Sequence, residues 1–181
     1  MARMKRWVDA SYATVRFEPD MVSVVQGLGR LDLSLIEDDQ NFLADFEKNK
    51  ESLDQSVKLT ERFTLSYLWV LGSYELVRTI CQRLQQKDLD VLPEVADSFQ
   101  QLKKEFNRLR VPLAKMEAAS AQKNTDSHIA YPAIHPGKGI AWRVSEGVFI
   151  TRRDLADRLL ETLERTRSKD PKLGVGEESS A

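Results

Sequence analysis

Cysteine, histidine and long apolar runs are scarce in this sequence of 181 residues, and these scarcities limit the classes of protein to which it can belong. Cys81 is the only cysteine, so no internal disulfide can form, and its apolar neighbours predict a small buried side chain. No stretch approaches the roughly twenty apolar residues that a membrane-spanning helix needs. The basic segment 1–9 is not followed by an apolar run and a cleavage site, so we expect a cytoplasmic protein with no signal peptide and no membrane partner.

Charge of one sign is not concentrated in any part of the chain. The sequence has 27 basic and 28 acidic residues and a formal net charge of −1. Residues 1–60 carry a net charge of −3, whereas residues 61–120 and 121–181 each carry +1. Strong nonspecific binding to nucleic acid depends on many contacts between basic side chains and phosphates, so the composition does not predict it.

Glycine and proline are almost absent between Asp54 and Lys87, where Gly72 is the one exception in a helical pattern of apolar residues. This pattern predicts a long helix at the centre of a bundle. Pro93 suits the first turn of a second helix that returns antiparallel through residues 95–113. We therefore predict a single, mainly α-helical domain over residues 1–167, built on a long antiparallel helical hairpin.

The segments before this hairpin give a weaker pattern. Residues 1–20 predict a short strand or a packed arm, and residues 21–50 predict a helix that Gly27 and Gly29 could divide into two pieces. Three consecutive acidic residues, 37–39, are expected on the solvated outer face of that helix. No histidine stands near them, so we predict no metal site there.

The composition changes after Ala121, where polar residues, prolines and glycines predict a loop. The short β-branched and aromatic segments that follow predict a small β-hairpin, with a turn at Ser145–Gly147. Thr151 begins a final helix, in which Asp154 takes the place of the commoner glutamate of a capping box. The polar residues 168–181 predict a disordered tail.

Known catalytic motifs do not account for the remaining polar residues. The stretch 136–139 contains Gly-Lys-Gly but lacks the longer spacing of a P-loop, so it predicts a turn. No serine lies in a Gly-x-Ser-x-Gly elbow, and His128 and His135 fall in the loop region, where a surface or packing role is favoured over catalysis. The sequence therefore predicts no metal and no cofactor.

A polar cluster on the two long helices is the candidate site. Pro112 should kink or break the second helix near Arg108. This could present Arg110, Lys115 and Glu117 towards Glu75 and Arg78 of the first helix. Ion pairs that only fix helix packing are the favoured interpretation of this cluster, and ligand binding or catalysis is the alternative.

The predicted hairpin, the Glu75 and Arg78 pair and the segment around Arg110 resemble the HEPN superfamily of small prokaryotic helical domains over residues 54–120. The resemblance implies a dimer. Members with ribonuclease activity carry an arginine, four to six polar residues and then a histidine on the later helix. Here Lys115 and Glu117 follow Arg110 where the histidine is expected, so the resemblance implies a noncatalytic branch.

Two functions are consistent with these observations. The first is a noncatalytic helical interaction or ligand-binding module of a bacterial cytosolic system, of a defence or toxin–antitoxin type, that forms a homo-oligomer and has a possible protein partner. The second is an RNA-processing or nucleotide-binding enzyme that uses the Arg/Lys/Glu cluster on phosphates. The missing histidine favours the module over the enzyme.

Overall fold

Five α-helices and a small antiparallel sheet form the part of the chain that the computed structural model describes, residues 2–46, 53–86 and 91–168. The helices are α1 (Ala2–Ser11), α2 (Met21–Phe46), α3 (Leu53–Arg83), α4 (Pro93–Lys115) and α5 (Arg152–Ser168). The strands β1 (Tyr131–His135), β2 (Gly139–Ser145) and β3 (Val148–Thr151) lie between α4 and α5 along the chain. The mainly helical fold is confirmed, and β2 and β3 form the predicted small β-hairpin. Strand β1 lies where Pro132 and Pro136 predicted a loop, so the sheet has a third strand that the sequence did not predict.

The first two helices differ from the prediction. Residues 2–11 form a helix rather than a strand or an arm, and Trp7 and Ala10 on one face of it are fully buried. Helix α2 runs without interruption through Gly27 and Gly29, so the division at the glycines is wrong. At Gly29 the ring of Trp7 lies so close that an added Cβ would be 2.5 Å from its Cγ. Gly29 therefore lets α1 pack against α2.

Helices α3 and α4 pack against each other through Trp69 and Phe106, whose ring centroids are 6.2 Å apart. Pro93 lies in the first turn of α4, as predicted. Of the kink or break predicted near Arg108, the break is wrong, because α4 continues through Pro112 and ends at Lys115, followed by Met116 in the left-handed conformation. Residues 87–90, which would close the predicted hairpin, lie outside the described residues, so the hairpin stays a prediction.

The sheet has the strand order β1-β2-β3 with antiparallel pairing throughout. The predicted turn at Ser145–Gly147 joins β2 to β3. Along β2, Ile140, Trp142 and Val144 share one face and are buried, whereas on the opposite face Ala141 is buried and Arg143 is exposed. Trp142 packs edge-on against Phe63 of α3, and this contact fixes the sheet on the helices.

One apolar core includes residues of all five helices and the sheet, among them Trp7, Val25, Trp69, Phe106, Trp142 and Leu159. Cys81 is buried in this core, as predicted, and its burial raises the pKa of the thiol. No helix within the described ranges has the length and apolarity that a membrane span requires. Ser168 ends α5, and the rest of the predicted disordered tail lies outside the described residues.

Candidate functional site

Two buried carboxylates lie seven residues apart on one face of α2. Asp32 and Asp39 are in the interior of the molecule, and Leu35 between them is also buried. Seven residues are close to two helical turns, so all three side chains point the same way. The prediction that residue 39 faces solvent is therefore wrong, because this face of α2 is turned towards α3, α5 and the sheet.

Asp32 accepts three hydrogen bonds from three parts of the chain. Arg3 Nε donates at 2.7 Å, the indole Nε1 of Trp7 at 3.0 Å and Arg152 Nη1 at 2.6 Å. Arg152 is fully buried at the start of α5, and its guanidinium carbon lies 5.8 Å from the ring centroid of Trp69. A buried carboxylate with this set of donors holds α1, α2 and α5 together.

Asp39 makes the equivalent link to α3 and the sheet. Arg62 of α3 donates to it through Nη2, the backbone N–H of Ile140 donates at 3.4 Å, and Arg152 Nη2 is 3.7 Å away. Gly139 has a φ of 76°, and a side chain there would overlap the Asp39 carboxylate. Both carboxylates are thus engaged by protein groups, and Asp39 fixes the start of β2 against the helices.

The polar cluster predicted from sequence lies on the surface. Arg78 Nε donates to Glu75 at 2.7 Å within α3, and the guanidinium of Arg110 lies 4.9 Å from the ring centroid of Tyr74. Lys115 is the last residue of α4, and Glu117 is exposed just beyond it. Among the described residues, no hydrogen bond or ion pair joins Glu75 or Arg78 to Arg110, Lys115 or Glu117. Whether this cluster acts on a ligand stays a prediction.

A different group of side chains is arranged on the outer surface of the sheet. Arg143 of β2 pairs directly with Tyr131 of β1 and with Phe149 of β3. Tyr131 is 41% exposed, Phe149 is 52% exposed, and Arg143 is exposed between them. The guanidinium of Arg143 lies 5.2 Å from the ring centroid of Tyr131. We call these three residues the aromatic row.

Among the residues that the structure describes, no carboxylate pairs with Arg143. Most arginines in the described ranges form ion pairs, such as Arg108 with Asp126 at 2.7 Å and Arg158 with Glu105 at 2.8 Å. Arg143 forms no ion pair within the same ranges, and its guanidinium contacts the Tyr131 ring. The aromatic row therefore presents two exposed aromatic residues and one positive charge, which lies over the Tyr131 ring.

Neighbouring contacts hold the sheet that carries the aromatic row in place. The backbone N–H of Ser127 donates to the Val144 carbonyl at 2.7 Å, which ties the preceding loop to β2. At the other end of the sheet, Lys138 Nζ donates to Asp154 at 2.6 Å and the Asp39 carboxylate accepts from Ile140. Residues 136–138 form a turn as predicted, in which His135 Nδ1 accepts from Gly137 N at 3.1 Å.

Sequence reasoning missed both the buried network and the aromatic row. The signal for the network was present, since Asp32 and Asp39 share the spacing of the buried positions on α2. The aromatic row depends on the register of three strands, which a single sequence does not give. In the described part of the chain, no group of three histidine, cysteine, aspartate or glutamate residues is placed to hold a metal ion.

Comparisons with protein families, with curated proteins and with solved structures find no match for this chain.

Proposed function

We propose that this protein is a noncatalytic binding module and that its aromatic row binds single-stranded nucleic acid. The observation that carries the proposal is the cross-strand alignment of Tyr131, Arg143 and Phe149 on an exposed sheet surface. Exposed aromatic side chains on a sheet are a common platform for unpaired bases, and an arginine between them supplies a partner for phosphate.

The two rings provide separate stacking positions. Tyr131 and Phe149 lie on the two outer strands, so their Cα atoms are two strand spacings apart, about 10 Å. A single strand can place bases on both rings, whereas the paired bases of a duplex keep their faces covered by neighbouring pairs. The geometry thus favours single strands over duplexes.

Arg143 should contribute electrostatic attraction without making binding strongly dependent on salt. The chain is nearly neutral overall, with a net charge of −1, and the aromatic row holds one cation. One phosphate contact to a single strand gives a slope of about −0.7 in log K against log salt concentration. Stacking, rather than charge, therefore supplies most of the proposed affinity.

Fluorescence anisotropy with labelled single-stranded oligonucleotides of uridine or adenosine tests this function, with a duplex of equal length as comparison. Tyr131→Ala and Phe149→Ala should each weaken binding by about 5- to 150-fold, the range expected for loss of one stacked base. Tyr12→Ala is the matched control, because Tyr12 is 46% exposed but lies on another surface, and it should bind like the wild type.

Arg143→Gln should weaken binding and reduce the salt slope by about 0.7, because one phosphate contact is lost. Arg30→Gln, a change at an exposed arginine of α2, should leave the slope unchanged. A nucleoside monophosphate that competes as well as the oligonucleotide would identify the ligand as a free nucleotide. Wild-type affinity in both ring variants would refute the proposed surface.

The second candidate function is the RNA-processing enzyme, and the position of Arg110 favours it. Its guanidinium stacks on Tyr74 and, within the part of the chain that the structure describes, pairs with no carboxylate. In this case the protein should cleave labelled RNA, and Arg110→Ala should abolish cleavage with little change in melting temperature. Lys104→Ala on the exposed side of α4 is the control, and RNA that stays intact with the wild type would exclude this function.

The proposed location, cellular role and oligomeric state rest on the HEPN resemblance. We propose on that basis a cytoplasmic bacterial protein of a defence or toxin–antitoxin system, acting as a homodimer. Binding of RNA by the aromatic row is compatible with such a role.

A further inference from the structure

Three polar side chains from two helices lie near one another in the interior of the molecule. Arg62 and Ser66 belong to α3, and Arg152 is the first residue of α5. Arg62 is 7% exposed, and Ser66 and Arg152 have no exposed surface. Both guanidinium groups lie beside Asp39, because Arg62 donates to it through Nη2 and Arg152 Nη2 is 3.7 Å from its carboxylate. We call Arg62, Ser66 and Arg152 the arginine site.

The spacing along α3 places Ser66 beside both guanidinium groups. Ser66 follows Arg62 by four residues and precedes Trp69 by three, so these three side chains lie on one side of the helix. The guanidinium carbon of Arg152 lies 5.8 Å from the ring centroid of Trp69. Ser66 therefore lies between Arg62 and the residue of α3 that Arg152 contacts, and it faces the same interior region as the two guanidinium groups.

The arginine site has more hydrogen-bond donors than acceptors. Among the described residues, none bonds to Nε or Nη1 of Arg62, to Nε or Nη2 of Arg152, or to Oγ of Ser66, and all of these atoms are buried. The bond from Arg62 to Asp39 uses a different nitrogen, Nη2. A guanidinium group has donors and no acceptor, so an anion, which only accepts, suits it better than water, which brings donors of its own. Buried donors without an acceptor are costly, so this chemistry favours a bound anion.

The ion-pair network around the arginine site has one positive charge in excess. Within the described ranges, this network joins the four guanidinium groups of residues 3, 62, 152 and 153 to the three carboxylates of residues 32, 39 and 157. A charge in the interior that no opposite charge balances is strongly unfavourable. A single monovalent anion would balance the network.

We propose that the arginine site binds one chloride ion, which accepts hydrogen bonds from Arg62, Ser66 and Arg152. The excess of one positive charge selects a monovalent anion, and the complete burial of Ser66 and Arg152 selects a small one. The donors come from α3 and α5, so only the folded chain brings them together. The ion therefore binds the folded protein and not the unfolded chain, and it stabilises the fold in proportion to its concentration by mass action.

Unfolding of the full chain by denaturant, in mixtures of sodium chloride and sodium gluconate at constant ionic strength, tests this proposal. Gluconate is monovalent but too large for an enclosed site, so it keeps the screening equal without binding. With a Kd of about 1 mM, a rise in chloride from about 1 to about 100 mM should lower the unfolding constant of the wild type about 50-fold.

Ser66→Ala and Ser73→Ala form a matched pair of variants. Ser73 is also fully buried on α3, and its hydroxyl likewise has no hydrogen-bond partner among the described residues, but it lies about 10 Å further along the helix. Ser66→Ala should weaken chloride binding about tenfold or more, because one donor to a charged acceptor is lost. In gluconate alone it should be at least as stable as the wild type, since it removes a buried hydroxyl without a partner. Ser73→Ala should keep the chloride dependence of the wild type.

Crystals of the wild type grown in sodium bromide give the position of the ion, because bromide replaces chloride and scatters anomalously. The anomalous peak should lie within hydrogen-bond distance of Arg62, Ser66 and Arg152. Water at this position, a wild type whose stability does not respond to chloride, or equal chloride effects in Ser66→Ala and Ser73→Ala would each overturn the proposal.

Discussion

Gly27 and Gly29 lie two residues apart in α2, but the space around their Cα atoms differs. Around Gly27 nothing lies within 4 Å of the position that a Cβ would take. At Gly29 the Cβ would lie 2.5 Å from Trp7 Cγ and 2.6 Å from Trp7 Cβ, which are not the flexible end of that side chain. Trp7 is fully buried, so it has no space to retreat.

We predict that Gly29→Ala destabilises the protein by about 1–3 kcal/mol, because the added methyl group displaces Trp7. Gly27→Ala should instead stabilise it by about 0.5–1 kcal/mol, since alanine is the better helix former. Chemical denaturation followed by circular dichroism measures both changes. Equal effects of the two substitutions would contradict the close packing of α1 on α2.

At the scale of elements, the structure confirms the cap that Thr151 and Asp154 were expected to form at the start of α5. Thr151 Oγ1 accepts from the backbone N–H of Asp154 at 2.9 Å, and the Thr151 hydroxyl donates to the Asp154 carboxylate at 2.8 Å. Burial alone would raise the pKa of Asp154, but hydrogen bonds from Lys138 and Thr151 and the nearby positive charges outweigh it and lower the pKa. The ionised form of Asp154 therefore stabilises the folded protein.

We predict that Thr151→Ala destabilises the protein by about 0.5–2 kcal/mol, the usual cost of a lost cap. Thr60→Ala in the exposed middle of α3 is the control and should not destabilise, because alanine is favoured inside a helix. Thermal melts at neutral pH compare the two variants. Equal melting temperatures for Thr151→Ala and the wild type would argue against a capping role.

The lowered pKa of Asp154 makes the stability of the folded protein depend on pH with a known sign. Its stabilising effect is fully present above the pKa of the unfolded chain, about 4, and is lost as the pH falls through the lower folded-state pKa. Asp154→Asn should therefore be less stable than the wild type at neutral pH, and the difference should shrink in acid. Denaturation at a series of pH values measures this, and a difference independent of pH would be inconsistent with it.

At the scale of the whole molecule, buried charges connect elements that are distant in sequence. Asp32 of α2 joins Arg3 of α1 and Arg152 of α5. Arg3 also reaches Asp157 of α5 at 2.5 Å, and Asp39 binds Arg62 of α3. Removal of one partner from such a network leaves the others charged in the interior, which costs far more than loss of a surface pair.

We predict that Asp32→Ala destabilises the protein by about 3–5 kcal/mol, because Arg152 is left buried without its main partner. Asp9→Ala removes only surface ion pairs, with Lys5 and Arg167, and should leave the unfolding midpoint nearly unchanged. The three tryptophans lie in α1, α3 and β2, so fluorescence and far-ultraviolet circular dichroism together report on the whole core. Similar midpoints for the two variants would show that the network does not stabilise the fold.

The sequence predicted the secondary-structure elements better than it predicted which side chains lie together in the folded protein. Helical spacing identified α3 and α4, and turn residues identified the β2–β3 turn, because these signals come from neighbours in the chain. Residue 39 was misplaced because a charged side chain was expected in solvent, whereas its buried partners Arg62 and Arg152 come from other helices. The aromatic row was not predicted, since Tyr131 and Phe149 are eighteen residues apart and meet Arg143 only through strand pairing.

The sequence by itself therefore determined the helical class, the β2–β3 hairpin near the C-terminus, the cap of α5 and the burial of Cys81. All of these depend on local backbone preferences and on the periodicity of apolar residues. The tertiary structure alone decided that Asp32 and Asp39 are internal and that Tyr131, Arg143 and Phe149 share one surface. Contacts between residues far apart in the chain depend on how the elements pack, which the spacing of residues along one sequence does not specify.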